Sequence, residues 1–174
     1  KGAIKPVYEL MEETGEPFDQ AAYLPTVIGY YTTADGKLLS MPFNSSTPIM
    51  YYNKDAFCKA GLDPEKPPKT WPEFETVARK LVEAGYAGFT TGGQSWVMLE
   101  NFGAWHNIPF ATKQNGFAGL DTELVFNDPL RIQHIRNMAE WQKEHIFIYA
   151  GRESDSVSTF TSGKCAIYLN SSAA

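Results

Sequence analysis

The sequence predicts an α/β fold, on three observations. Short β-prone runs, Ile49 to Tyr52, Tyr86 to Thr90 and Cys165 to Leu169, are separated by segments of helical period. The segment after Thr70 carries a full set of helix-start signals. Glycines stand where successive helices must stop. Alternation of the two periods is the pattern of helices layered on a sheet.

The elements follow in order. Ile4 to Met11 has apolar residues at helical spacing, with Gly15 as its stop. Glu12 to Gln20 is polar and turn-like, its acidic residues reading as solvated charges. Tyr23 to Tyr31 mixes β-branched and aromatic residues ahead of the turn Ala34-Asp35-Gly36, which predicts a hairpin-like pair of strands. Ile49 to Tyr52 reads as a buried strand. Asn53 then caps a short helix that Gly61 ends. Three prolines make Asp63 to Lys69 a loop.

Thr70 to Glu73 forms a capping box, in which the threonine hydroxyl accepts from the Glu73 N–H and the glutamate reaches back to the Thr70 N–H. Pro72 fits because the first helical turn needs no donor there. Phe74, Val77, Ala78, Leu81 and Val82 share one apolar face up to Gly85. Beyond the strand at 86–90, a polar turn from Thr91 to Ser95 leads into a helix from about Trp96 to Trp105. Leu99, Phe102 and Trp105 or His106 face the core, and Gly103 weakens the helix. Asn107 to Gly119 is irregular and Leu124 to Phe126 is a short strand. Asn127-Asp128-Pro129 caps the next helix, and Ser154 or Asp155 caps a last short one that stops at Gly163.

The bulk figures narrow the function. With 174 residues, 43% hydrophobic and 20% charged, the chain suits one ordinary domain or part of something larger. A net charge of -5 argues against nucleic acid or an anionic membrane as the main partner. No apolar run is long enough to span a bilayer. The missing initiator Met and signal peptide read as those of a piece cut from a longer protein. Cys58 and Cys165 make no metal spacing, and nothing in sequence fixes a disulfide between them.

Enzyme motifs are incomplete. Gly93-Gln94-Ser95 is half of a nucleophile elbow, but Val97 stands where that motif needs glycine. His106, His134 and His145 form no metal trio; no metal and no cofactor are expected. Binding chemistry remains. Three clusters of small polar groups lie at strand ends: Asn44-Ser45-Ser46-Thr47, Thr90 to Ser95, and Asn170-Ser171-Ser172. Ligands of α/β sheets bind outside strand ends. The Gly92-Gly93 turn is either an anion site at a helix start or a plain turn with Ser95 as cap. Trp96 lies either against a ligand or in the core.

One run joins these readings. Gly36 to Phe57 is a turn and strand, a polar crossing between Pro42 and Pro48, a second strand and a helix start. Pro42-Phe-Asn-Ser-Ser-Thr-Pro-Ile-Met-Tyr-Tyr-Asn-Lys-Asp-Ala-Phe57 resembles the crossing strand and following helix of extracytoplasmic solute-binding proteins of ABC transporters. Pro67-Pro-Lys-Thr-Trp-Pro-Glu-Phe74 resembles their loop and capped helix, and Phe160-Thr-Ser-Gly-Lys-Cys-Ala-Ile167 a later helix, glycine and strand. The family includes maltose-binding protein. Leu99 to Trp105, Pro109 to Phe117 and Tyr149 to Arg152 are similar to its glycerol-3-phosphate-binding members.

The resemblance implies a type II periplasmic-binding-protein-like α/β fold, two lobes around a cleft. Residues 1–44 would be part of the first lobe and the approach to the hinge. Residues 45–174 would be the hinge crossing and most of the second lobe. Ligand contacts carry over to Ser46 and Ser171, with Trp96 in the cleft wall and Asn44, Ser45 and Ser172 beside them. The implied function is non-enzymatic capture, in the bacterial periplasm and as a monomer, of sn-glycerol 3-phosphate or a related glycerophosphodiester for ABC permease subunits. The alternatives are a sugar ligand on the same fold, or a hydrolase using Ser95. The resemblance departs at Gly93, where those members carry a second tryptophan.

Overall fold

A computed structural model describes residues 4–152 and 155–174. Its centre is a three-stranded sheet of order β1-β3-β2: β1 is Pro48–Tyr52, β2 is Ala87–Thr91 and β3 is Cys165–Ser171. β1 runs antiparallel to β3, pairing Pro48 with Ser171 and Tyr52 with Ile167. β2 runs parallel to β3, pairing Ala87 with Cys165 and Thr91 with Leu169. The backbone at 145–148 adds a short fringe beyond β2, through Phe89 N–H to the Ile146 carbonyl at 2.7 Å and Ile148 N–H to the Phe89 carbonyl at 2.9 Å.

Strand position follows composition. β3 is central and buried at six of its seven residues, whereas β1 is an edge strand, half-buried rather than buried as its apolar run suggests. Its two tyrosines are half-buried and donate their hydroxyls to carbonyls, Tyr51 to Ser171 and Tyr52 to Pro64, each at 2.9 Å.

The helices are α1 (Val7–Thr14), α2 (Pro25–Tyr30), α3 (Lys54–Lys59), α4 (Trp71–Glu83), α5 (Asn101–Trp105), α6 (Thr112–Asn115), α7 (Pro129–Lys143) and α8 (Val157–Thr161). α4 packs on β2 and α8 on β3. Phe57, Phe74, Ala78, Leu81, Phe89 and Ile167 meet in the core that this makes. Each large apolar side chain removed from water there contributes about 1.5–3 kcal/mol. Asn53 caps α3 through its side chain, which accepts from the Ala56 N–H. Thr70 caps α4 as expected, but the Glu73 carboxylate takes the Lys69 N–H at 2.8 Å rather than that of Thr70.

Several sequence expectations are corrected. Tyr23 to Tyr31 is not a strand: Pro25 opens α2, where its fixed φ suits a helix start and its missing N–H costs no ladder bond. Of the hairpin only the turn remains, closed by a single Thr32–Leu38 bridge. Leu124 to Phe126 contributes one bridge, Ala111 to Leu124. Ser95 does not cap a helix; it begins a π-turn, Ser95–Glu100, that runs into α5. The wider turn rotates the buried face, so Val97, Met98 and Phe102 are buried while Trp105 is 53% exposed. Ser156 stands ahead of α8 without a side-chain cap, and Ser154 lies outside the described residues. Cys58 is exposed, Cys165 is buried, and both are free thiols. No helix among the described residues is long and apolar enough to cross a membrane.

Candidate functional site

The sheet brings the three polar clusters to one end. β2 and β3 are parallel, so their C-terminal ends lie together, and β1, antiparallel, starts beside them. Past the last rung, the ladder continues into the loops. The Ser172 N–H donates to the Thr47 carbonyl at 2.8 Å, and the Thr47 N–H donates to Ser172 Oγ at 3.3 Å. On the other side the Gly92 N–H donates to the Leu169 carbonyl at 3.1 Å, and the buried Thr91 hydroxyl to that same carbonyl at 3.0 Å. Asn44 to Thr47, Gly92 to Trp96 and Ser171-Ser172 therefore share one rim. Residues separated by more than a hundred positions meet there because of the strand order.

Each candidate side chain has a definite state. Ser46 and Ser45 are exposed, and Ser46 is hydrogen bonded to none of the described residues. Asn44 is exposed, and its carbonyl accepts from the Tyr31 hydroxyl at 3.4 Å. Ser171 Oγ accepts from the Ala173 N–H at 2.9 Å. A hydroxyl that accepts still has its own O–H to donate, so Ser171 and Ser172 keep a donor free for an acceptor such as a phosphate or polyol oxygen. Ser171 is fixed further through its carbonyl, which accepts from the Tyr51 hydroxyl at 2.9 Å.

The turn before Trp96 needs glycine. Gly93 has φ +49, in the left-handed region, and a Cβ there would touch only Trp96, at 3.5 Å. Ser95, by contrast, has no positive φ, so the strain of a nucleophile elbow is not on the serine. Among the described residues no three His, Cys, Asp or Glu side chains gather as a metal site requires.

Residues 1–174 match the profile of one family along their whole length. The chain belongs to the bacterial extracellular solute-binding protein family. Among curated relatives, the sn-glycerol-3-phosphate-binding periplasmic protein UgpB of Salmonella typhimurium is 53% identical over 172 residues, 98% of this chain and 39% of the relative. Its counterpart in Brucella abortus is 48% identical over 174 residues, 99% of this chain and 40% of the relative. The chain thus spans about two fifths of the length of these relatives. Among solved structures, an ABC transporter solute-binding protein of Thermotoga lettingae bound with α-D-tagatose superposes with a TM-score of 0.69 at 18% identity, over 97% of this chain and 43% of the other. The sugar-binding protein MalE of Xanthomonas citri gives 0.65 at 20% identity, over 97% and 41%. These likenesses give the fold: type II periplasmic-binding-protein-like, of which the chain holds a part.

In this member of the family Trp96 is half-buried and packs against the core. Its core contact matches the core-packing reading of Trp96. Sequence reasoning missed a buried arginine. Arg131 of α7 is 2% exposed and reaches the carbonyls of Leu99, Ile108 and Pro109 as well as the Asp128 carboxylate, at 2.6 Å. Burial opposes ionisation of Asp128. Hydrogen bonds from the Arg131 backbone and guanidinium, and the charge beside it, outweigh burial and hold the carboxyl below the usual range. The available signals were Asp128 three residues before Arg131 on one helix face and a glycine, Gly103, inside a helix. A groove of about 640 Å³ was also missed; it runs from Met50 and Leu169 to Lys69, Trp71 and Trp105.

Proposed function

We propose that this chain is part of the solute-binding component of an ABC importer, which takes sn-glycerol 3-phosphate or a related glycerophosphodiester in the bacterial periplasm and hands it to membrane permease subunits. The observation that carries the reading is the meeting of three polar clusters at one end of the sheet, on the polypeptide crossing. The 48–53% identity to glycerol-3-phosphate-binding relatives supports the choice of ligand. Residues 1–44 belong to the first lobe and residues 45–174 to the crossing and second lobe. In keeping with this, residues before the crossing bond among themselves, as Tyr8 N–H does to the Leu38 carbonyl at 3.0 Å.

On this reading Ser46 and Ser171 donate their hydroxyls to oxygens of the ligand, and Trp96 forms the cleft wall, with Asn44, Ser45 and Ser172 shaping the rim. A hydrogen bond to a charged oxygen contributes roughly 1.5–3 kcal/mol. The lobes close because the ligand makes better contacts in the closed state, and the protein acts as a monomer without catalysis.

The test is calorimetry on the whole binding protein with glycerol 3-phosphate, glycerophosphocholine, maltose and inorganic phosphate. One of the two glycerophosphate ligands should bind, and binding of maltose alone would overturn the reading. Ser46→Ala should weaken binding about tenfold or more, a loss above about 1.4 kcal/mol. An unchanged affinity would remove Ser46 from the site.

A further inference from the structure

A buried guanidinium is costly unless something specific requires it, because apolar residues of similar volume often serve stability as well. Arg131 spends its donors on three backbone carbonyls and the Asp128 carboxylate rather than on solvent. Its Nε faces the Leu99 carbonyl at 3.4 Å, Nη1 the Pro109 carbonyl at 3.1 Å, and Nη2 the Ile108 carbonyl at 3.1 Å. The Phe110 ring lies over it at 5.7 Å. Gly103 makes the approach possible: a Cβ there would stand 1.8 Å from Nη2. The fork therefore gathers the end of the π-turn and the segment after α5 onto one point of α7.

The π-turn is the part that needs holding. Its Asn101 N–H donates to the Trp96 carbonyl, five residues back, a pattern less stable than the α-helical one and frequent at functional sites. One extra residue in a turn changes the angular offset between Trp96 and the buried Phe102 by about 100°. If the segment relaxed to α-helical pitch while Phe102 stayed in the core, the Trp96 ring would leave the rim. Leu99, whose carbonyl Arg131 takes, lies within that turn.

We propose that Arg131 is a positioning residue for solute binding: it holds the π-turn at its pitch and so aims Trp96 at the cleft. This rests on the reading of Trp96 as cleft wall. Arg131 itself touches no solute. Lysine cannot replace it, since one ammonium on a flexible stem does not present a planar fork to three carbonyls and a carboxylate.

The experiment uses the whole binding protein labelled with 5-fluorotryptophan, the Trp96 resonance being assigned with Trp96→Phe. Arg131→Lys should move or broaden the Trp96 resonance in the unliganded protein while that of Trp141 stays, and should weaken glycerol 3-phosphate binding at least tenfold. Leu81→Ala, a core variant studied at the temperature that gives equal fractional stability, should leave both readouts within twofold of the parent. If Arg131→Lys does not fold, Gly103→Ala, which displaces the guanidinium without deleting it, is judged by the same criteria. A Trp96 resonance unmoved in the folded variant overturns the proposal, whatever happens to melting temperature. Failure of the parent protein to bind glycerol 3-phosphate would instead strike the functional reading, and the fluorine spectrum would still decide whether Arg131 positions Trp96.

Discussion

His134 ties the stability of the protein to pH through one imidazole. It is 4% exposed, its ring stacks on Phe102 at 3.9 Å and 12°, and its Nε2 has no hydrogen-bond partner among the described residues. Burial first, and the charge of His106 second, lower its pKa from 6.5 to about 4. The unfolded chain therefore binds a proton below about pH 6.5 that the folded protein refuses until about pH 4. Stability is fully present above pH 6.5 and falls as pH drops between these values, by as much as about 3 kcal/mol. Urea titrations at pH 7 and pH 4.5 should give a smaller difference for His134→Phe than for the parent, and equal differences would assign the pH dependence to carboxylates. At this scale the rim was legible in the sequence because small polar residues at strand ends have few structural reasons to cluster. Arg131 was less so: Asp128 and Gly103 hint at it, but its other partners are the backbone carbonyls of Leu99, Ile108 and Pro109, which no side-chain pattern announces.

Elements were legible where their signals are local. The α4 start needs only Thr70, Pro72 and Glu73, and Thr70→Ala should cost about 1 kcal/mol in denaturant unfolding, since a bound Glu73 N–H loses its acceptor. The strand at 87–91 was legible too, but its packing was not. Gly88 sits where a Cβ would meet the Ile146 carbonyl at 2.5 Å and the Ala78 Cβ at 3.0 Å, pressed between the fringe and α4. Gly88→Ala should therefore destabilise by about 1–3 kcal/mol, read as a lower urea midpoint, although alanine suits a strand backbone there. Misreadings share one cause. Tyr23 to Tyr31 has strand-like composition but pairs with no strand among the described residues, and the proline at position 25 opens a helix there. The π-turn escaped because its stabilising contact comes from α7, about thirty residues later in the chain.

For the whole molecule, the proposed function makes the rim described above one wall of a cleft. The 174 residues alone should bind glycerol 3-phosphate far more weakly than the whole binding protein, at least a hundredfold by calorimetry, because the ligand loses about 2.7 kcal/mol or more of contacts when half the site is absent. Equal affinities would mean that these residues hold a complete site. The order of the strands has a kinetic consequence as well. β3 is central in space but last of the three in sequence, and the Tyr51 hydroxyl that meets the Ser171 carbonyl closes a separation of 120 residues. Closing so long a loop is slow and is rewarded only once the strand inserts. Until then the residues of β1 and β2 lack the strand that both pair with, and are open to a strand from another molecule. Refolding is therefore a race between insertion of the chain's own β3 and capture of a neighbour's, and its yield should fall as protein concentration rises. Ser171 and Ser172 reach the rim only when the chain's own β3 wins that race.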